Sequence, residues 1–111
     1  MSREIKFRVW NKNRNMFIID GMTPKEIQDD ATQSAELPMM TSEDCVWQQY
    51  TGLKDKNGVE IYEGDIVEIY NDEYLVHWNE IKAKWELGDR WAFIPNKICE
   101  VVGNIFEGVN K

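Results

Sequence analysis

The sequence predicts a mainly β protein, a β-rich α+β chain. An N-terminal hairpin with a short helix is followed by a C-terminal SH3-like small β-barrel. Three observations predict it. Residues 4–10 alternate, with Ile5, Phe7 and Val9 on one side and Glu4, Lys6 and Arg8 on the other. That period of two marks a half-buried strand. From residue 59 onward about five short apolar runs are separated by tight-turn residues, the pattern of a small sandwich or barrel. Those runs occupy fewer than 60 residues, a length that only a five-stranded barrel fits comfortably.

The elements follow in order. Asn11-Lys12-Asn13-Arg14-Asn15 is rich in turn formers and Met16-Phe17-Ile18-Ile19 resumes as a strand, so 4–19 reads as a hairpin. Thr23-Pro24-Lys25-Glu26 is a capping box. Thr23 accepts from the Glu26 amide, Glu26 reaches back to the Thr23 amide, and Pro24 suits the first helical position. A short helix over 24–31 follows, weakened by Asp29, Asp30 and Thr32. Residues 32–44 read as an acidic, mobile loop. Cys45 to Tyr50 is a strand, and Thr51 to Gly58 a polar connection whose Asn57-Gly58 suits a type I′ turn. Val59–Tyr62, Asp65–Tyr70, Tyr74–Trp78, Ala83–Leu87 and Trp91–Ile94 read as strands. Glu63-Gly64, Asn71-Asp72, Asn79–Lys82 and Gly88-Asp89 turn the chain between them, and Pro95 stops the last. Ile98 to Phe106 closes the barrel, with Gly103 a bulge or a close approach. Two subdomains result, 1–50 and 51–111.

With 111 residues the chain buries roughly 65% of its unfolded surface, enough to fold without staples. The net charge of −7 excludes a uniformly basic nucleic-acid coat. Charge is polarised, however: +4 over residues 1–19, −6 over 20–49 and −5 over 50–111. No apolar run approaches the roughly 20 residues of a membrane span, and MSREIKFRVW carries no secretory signal. The expected compartment is the cytoplasm. Cys45 and Cys99 share no metal-type spacing, and a reducing cytosol keeps both as thiols.

One segment is highly characteristic: Gln49-Tyr50-Thr51-Gly52-Leu53-Lys54-Asp55-Lys56-Asn57-Gly58-Val59-Glu60-Ile61-Tyr62-Glu63-Gly64-Asp65-Ile66-Val67. It resembles the hallmark QYTGLKDKNGKEIYEGDIV of the YopX-like family of phage and prophage proteins. The opening Arg3-Glu4-Ile5-Lys6-Phe7-Arg8-Val9-Trp10-Asn11 is similar to that family's REIKFRAWD, and Glu100-Val101-Val102-Gly103-Asn104-Ile105-Phe106-Glu107 to its EVIGNIYE. Val9, Asn11 and Val59 depart from the pattern. The resemblance implies a β-rich fold with an SH3-like C-terminal barrel, a phage or prophage origin, and no established activity. Residues 20–44 resemble nothing in particular.

Two candidate sites stand out. The first is an interaction loop of Tyr50, Lys54, Asp55, Lys56, Tyr62, Glu63 and Asp65, because turns on rigid scaffolds carry binding groups. Its structural counterpart is a set of turns and anchors, with Asp65 bonding loop amides. The second is a phosphate-contacting ribbon of Arg3, Lys6, Arg8, Lys12 and Arg14, whose binding falls with salt; read structurally, it is the outward face of a hairpin. The carboxylate pairs Glu63/Asp65, Asp72/Glu73 and Asp29/Asp30 lack fixed geometry for hydrolysis. Asp55-Lys56-Asn57-Gly58 is only a fragment of a calcium loop, and His77 stands without a triad context. The expectation is a non-enzymatic accessory module, without cofactor or membrane. It contacts a host or phage protein, alone or as a homo-oligomer. The alternative is a nucleic-acid-binding regulator using the basic hairpin and exposed aromatics.

Overall fold

In the computed structural model, residues 4–27 and 43–109 are described. The described residues are mainly β, with one helical turn over 24–27. The chain divides into two compact units, Met1–Tyr50 and Thr51–Lys111.

In the first unit, β1 (Phe7–Asn11) pairs antiparallel with β2 (Met16–Met22) and with the first half of β3 (Cys45–Lys54). Alternation predicts a half-buried β1, yet Arg8, Val9, Trp10 and Asn11 are all buried. A central strand has side chains on two faces, and here both faces are filled. One face carries the cluster of Val9, Ile19 and Ile27, backed by Phe7, Ile18, Met22 and Cys45. On the other, Trp10 meets Phe17 edge-on at 4.9 Å, and the Arg8 guanidinium lies over Phe17 at 4.8 Å. Arg8 Nε also donates to Gln48 Oε1 at 2.8 Å, directly across from it on β3. A stacked and hydrogen-bonded guanidinium tolerates burial because a planar face and an edge find partners.

The turn after β1 closes with the Asn15 amide donating to the Asn11 carbonyl at 2.8 Å. Asn15 takes φ of 55°, a left-handed conformation that asparagine tolerates. The capping box forms as its residues dictate. The Thr23 amide donates to Glu26 Oε1 at 3.1 Å, and the Glu26 amide to Thr23 Oγ1 at 3.3 Å. The rest of the expected helix and the loop 32–42 lie outside the described residues.

In the second unit, the other half of β3 pairs with β4 (Glu60–Tyr62). An antiparallel sheet follows in the order β7-β6-β5-β8-β9. Its strands are β5 (Asp65–Ile69), β6 (Asp72–Asn79), β7 (Lys84–Leu87), β8 (Glu100–Asn104) and β9 (Gly108–Val109). Ile61, Val67, Ile69, Val76, Leu87, Ile94 and Cys99 form the core.

Several boundaries differ from expectation, each for a local reason. β3 runs on to Lys54 where a polar connection from Thr51 is predicted. The Thr51 hydroxyl donates to the Ile61 carbonyl at 2.8 Å, so a polar residue is satisfied inside the pairing. Trp91–Ile94 is not a strand; a single bridge joins Trp91 to Leu87. The closing strand starts at Glu100 rather than Ile98, because the Ile98 amide donates to the Pro95 carbonyl in a tight turn. It stops at Asn104, whose Oδ1 accepts from the Phe106 and Glu107 amides at 2.9 and 3.0 Å.

Candidate functional site

The 54–59 loop is built around one buried carboxylate. Asp55 Oδ1 accepts from the Asn57 and Val59 amides at 2.8 and 2.9 Å, and Oδ2 from the Val101 amide at 2.8 Å. The Asp55 amide donates to the Val59 carbonyl, leaving a three-residue loop whose last member, Gly58, has φ of 83°. This is a tight turn followed by a left-handed glycine, not the two-residue type I′ turn that Asn57-Gly58 suggests. Asp65 does similar work one hairpin later: it is buried and accepts from the Tyr62 amide at 2.7 Å.

These contacts sort the seven loop candidates. Tyr50, Asp55, Tyr62 and Asp65 are buried, Glu63 is half-buried, and Lys54 and Lys56 are exposed. Of the basic ribbon, Arg8 is buried against Gln48 and Phe17. Lys6 pairs with Glu4 at 2.5 Å and lies over the Tyr50 ring. Lys12 and Arg14 are exposed at the turn, and Arg3 lies outside the described residues.

Two hydrogen bonds join two loops at one end of the second unit's sheet, and strand register brings a third turn to the same end. The Lys56 amide donates to the Cys99 carbonyl at 3.1 Å, and Asn96 Nδ2 to the Lys54 carbonyl at 3.0 Å. Glu68 of β5 stands opposite Glu100 of β8, so the Tyr70-Asn71 turn that ends β5 falls at the same end as Ile98-Cys99. Tyr70 and Asn71 have φ of 51° and 71°, the two left-handed positions of a type I′ turn, with Ile69 paired to Asp72. Tyr70 is 79% exposed.

An open groove of about 300 Å³ lies along Phe93, Ile94, Pro95, Asn96, Lys97 and Ile98. Ile94 is buried in the core, while Phe93 is 59% exposed and Ile98 is also exposed. Phe93 stands edge-on to Trp91 at 5.9 Å, and Trp91 to Tyr74 at 6.4 Å, so the mouth is continuous with packed rings. The sequence reading misses Tyr70, Phe93, Lys97 and Ile98. Their signal is an apolar stretch broken by Pro95, which stops pairing and leaves large side chains without a sheet partner.

Cys99 is fully buried, and burial, with the Asp55 carboxylate beside it, pushes its thiol up to about 11. Both cysteines are free. His77 Nε2 lies 2.8 Å from the Gly88 carbonyl. Asn79 Nδ2 donates to Glu86 Oε1 at 2.9 Å and holds that carboxyl below its usual range. Among the described residues no three His, Cys, Asp or Glu side chains gather as a metal ion requires. No helix there is long and apolar enough to cross a membrane.

The class these features define is a small antiparallel β protein with exposed apolar side chains on loops and on strands alike. The YopX protein family model matches residues 6–110, and the chain belongs to that family. Its fold is similar to the crystal structure of protein EF1440 from Enterococcus faecalis, at 20% identity and a TM-score of 0.63. The match covers 96% of each chain. No match is found among curated proteins.

Proposed function

We propose that the chain is a non-enzymatic protein–protein interaction module that works through the loop end of its C-terminal unit. Phage or prophage coding and a cytoplasmic setting belong to this reading, as the family resemblance implies. So does an SH3-like barrel for residues 51–111, supported by the strand order β7-β6-β5-β8 with a tight turn before the closing strand. The observation that carries the reading is exposed Phe93 and Ile98 on one open groove, with exposed Tyr70 on a turn at the same end of the sheet. Large apolar side chains held out on rigid loops are characteristic of contact surfaces. A crosslinked pull-down from cells that express the chain tests it. Reproducible crosslinks that map to residues 54–58, 70–71 or 93–98 are expected. Recovery of no reproducible partner overturns it.

The nucleic-acid alternative has weaker support. Of its five cations, Arg8 is buried and Lys6 is paired with Glu4, and the net charge of the chain is −7.

A further inference from the structure

We infer that the 93–98 cavity takes a short acidic peptide segment of a partner protein, anchored by one bulky aliphatic or aromatic side chain. The inference rests on the interaction-module reading and adds the chemistry of the partner. Two observations carry it, one apolar and one electrostatic.

The cavity walls are Phe93, Ile94, Pro95 and Ile98, and its volume of about 300 Å³ suits one large side chain. Burial of such a side chain contributes the non-directional part of the affinity. Phe93 and Ile98 already stand partly in water, so an anchor that covers them removes existing apolar surface at little reorganisation. Phe93 is braced by Trp91, so its ring is held in place before a ligand arrives. Preorganisation of this kind reduces the cost of binding.

The rim is cationic, in a chain whose net charge is −7. Lys97 lines the cavity itself. Lys54 and Lys56 are exposed on the loop that Asn96 and Cys99 tie to it through backbone bonds. Two carboxylates of these loops are hydrogen-bonded in place. Asp55 is buried on three amides, and Glu100 accepts from Asn57 Nδ2 at 3.1 Å. The sheet face that begins at this same end carries Glu73, Glu68 and Glu100 opposite one another across β6, β5 and β8. An acidic ligand is therefore repelled from this sheet face and drawn to the lysines of the two loops beside it. Complementarity of that kind fixes where and in which orientation a partner docks.

The test uses the full chain and fluorescence-labelled short synthetic peptides. One carries Asp and Glu on both sides of a central Trp. In the second the acids are replaced by Lys, and in the third the Trp is replaced by Ser. Anisotropy should show binding of the first alone, with amide shifts in nuclear magnetic resonance confined to residues 54–58, 70–71 and 93–98. Lys54→Glu with Lys97→Glu, and separately Phe93→Ser, should each weaken it by about tenfold or more. All three positions are exposed, so unchanged melting curves verify folding. Equal binding of the Lys peptide, binding that survives both variants, or shifts elsewhere on the sheet overturns the inference. Self-association that competes with the peptide also overturns it, since the occupant is then a second copy. If the peptides fail while crosslinked partners still map to these loops, the interaction reading stands and the acidic-peptide chemistry falls.

Discussion

Tyr70 holds φ at 51° in a turn position where asparagine or glycine is the ordinary occupant. A bulky side chain in the left-handed region costs roughly 1–2 kcal/mol. That cost persists in a side chain 79% exposed to water, which returns no core packing. Strain retained without a folding benefit points to use in recognition. Tyr70→Asn is expected to stabilise the chain by about 1 kcal/mol and to raise the melting temperature by roughly 4–8 °C. It should weaken the acidic Trp peptide at the same time, and calorimetry with anisotropy reads both. Cys99 makes the opposite case, a reactive residue type without reactive surroundings. Its thiol is buried and pushed up to about 11, and only the thiolate attacks disulfide reagents. At pH 8 a disulfide reagent should leave Cys99 unmodified in the native chain and modify it promptly in denaturant.

Gly103 shows how one residue sets an element. A Cβ added there would lie 1.9 Å from the Gly108 carbonyl oxygen, and β8 pairs with β9 through Gly103–Val109 and Asn104–Gly108. The β5–β8 register also shifts between Ile66 and Val67, opposite this point. Gly103→Ala should therefore release β9, at a cost of about 1–2 kcal/mol because the lost strand is a two-residue edge. Faster amide exchange at Gly108 and Val109 checks it. The capping box gives a second element-scale expectation. Thr23 donates its amide to Glu26 and holds that carboxyl below the usual glutamate value of 4.5, as Asn79 does for Glu86. A carboxyl lowered in the folded state adds stability above its unfolded value and loses it as pH falls through the folded one. Thr23→Ala should cost about 1 kcal/mol at neutral pH. Glu26→Ala removes the carboxyl itself, so the difference between Glu26→Ala and the parent should shrink in acid titrations below 4.5. Both features were legible in the sequence, since a capping box and a glycine inside a strand are local signals. The type I′ turn was not. Asn57-Gly58 carries its usual signature, yet Asp55 recruits the Asn57 and Val59 amides and makes a longer loop. Tyr70-Asn71 carries no such signature and adopts it because Ile69 and Asp72 are held in register by β5 and β6. Burial of Arg8 was hidden for the same reason: alternation reports one strand, whereas Gln48 and Phe17 come from two others.

At the scale of the molecule, charge decides between partners, and the sequence total conceals how. The net charge of −7 is long-ranged, whereas Lys54, Lys56 and Lys97 act only near the cavity rim. The five cations of the N-terminal ribbon do not restore a nucleic-acid surface, because Arg8 and Lys6 are engaged inside the first unit. Duplex and single-stranded DNA should give no gel shift at low salt, where phosphate binding is strongest. An acidic peptide presents a different balance. At about 0.01 M salt the Debye length is about 30 Å, so the whole acidic surface repels the peptide. Near about 0.15 M it falls to about 8 Å, which screens the distant acids but leaves lysines in contact with the ligand effective. At about 1 M it is about 3 Å, and the local attraction weakens as well. Affinity for the acidic Trp peptide should therefore pass through a maximum at intermediate salt, measured by anisotropy across that range. The Lys54→Glu, Lys97→Glu variant keeps only Lys56 of the rim and should show a much weaker maximum. A steady fall from the lowest salt would mean that a cationic surface broader than this rim attracts the peptide, and would move the docking site away from the cavity.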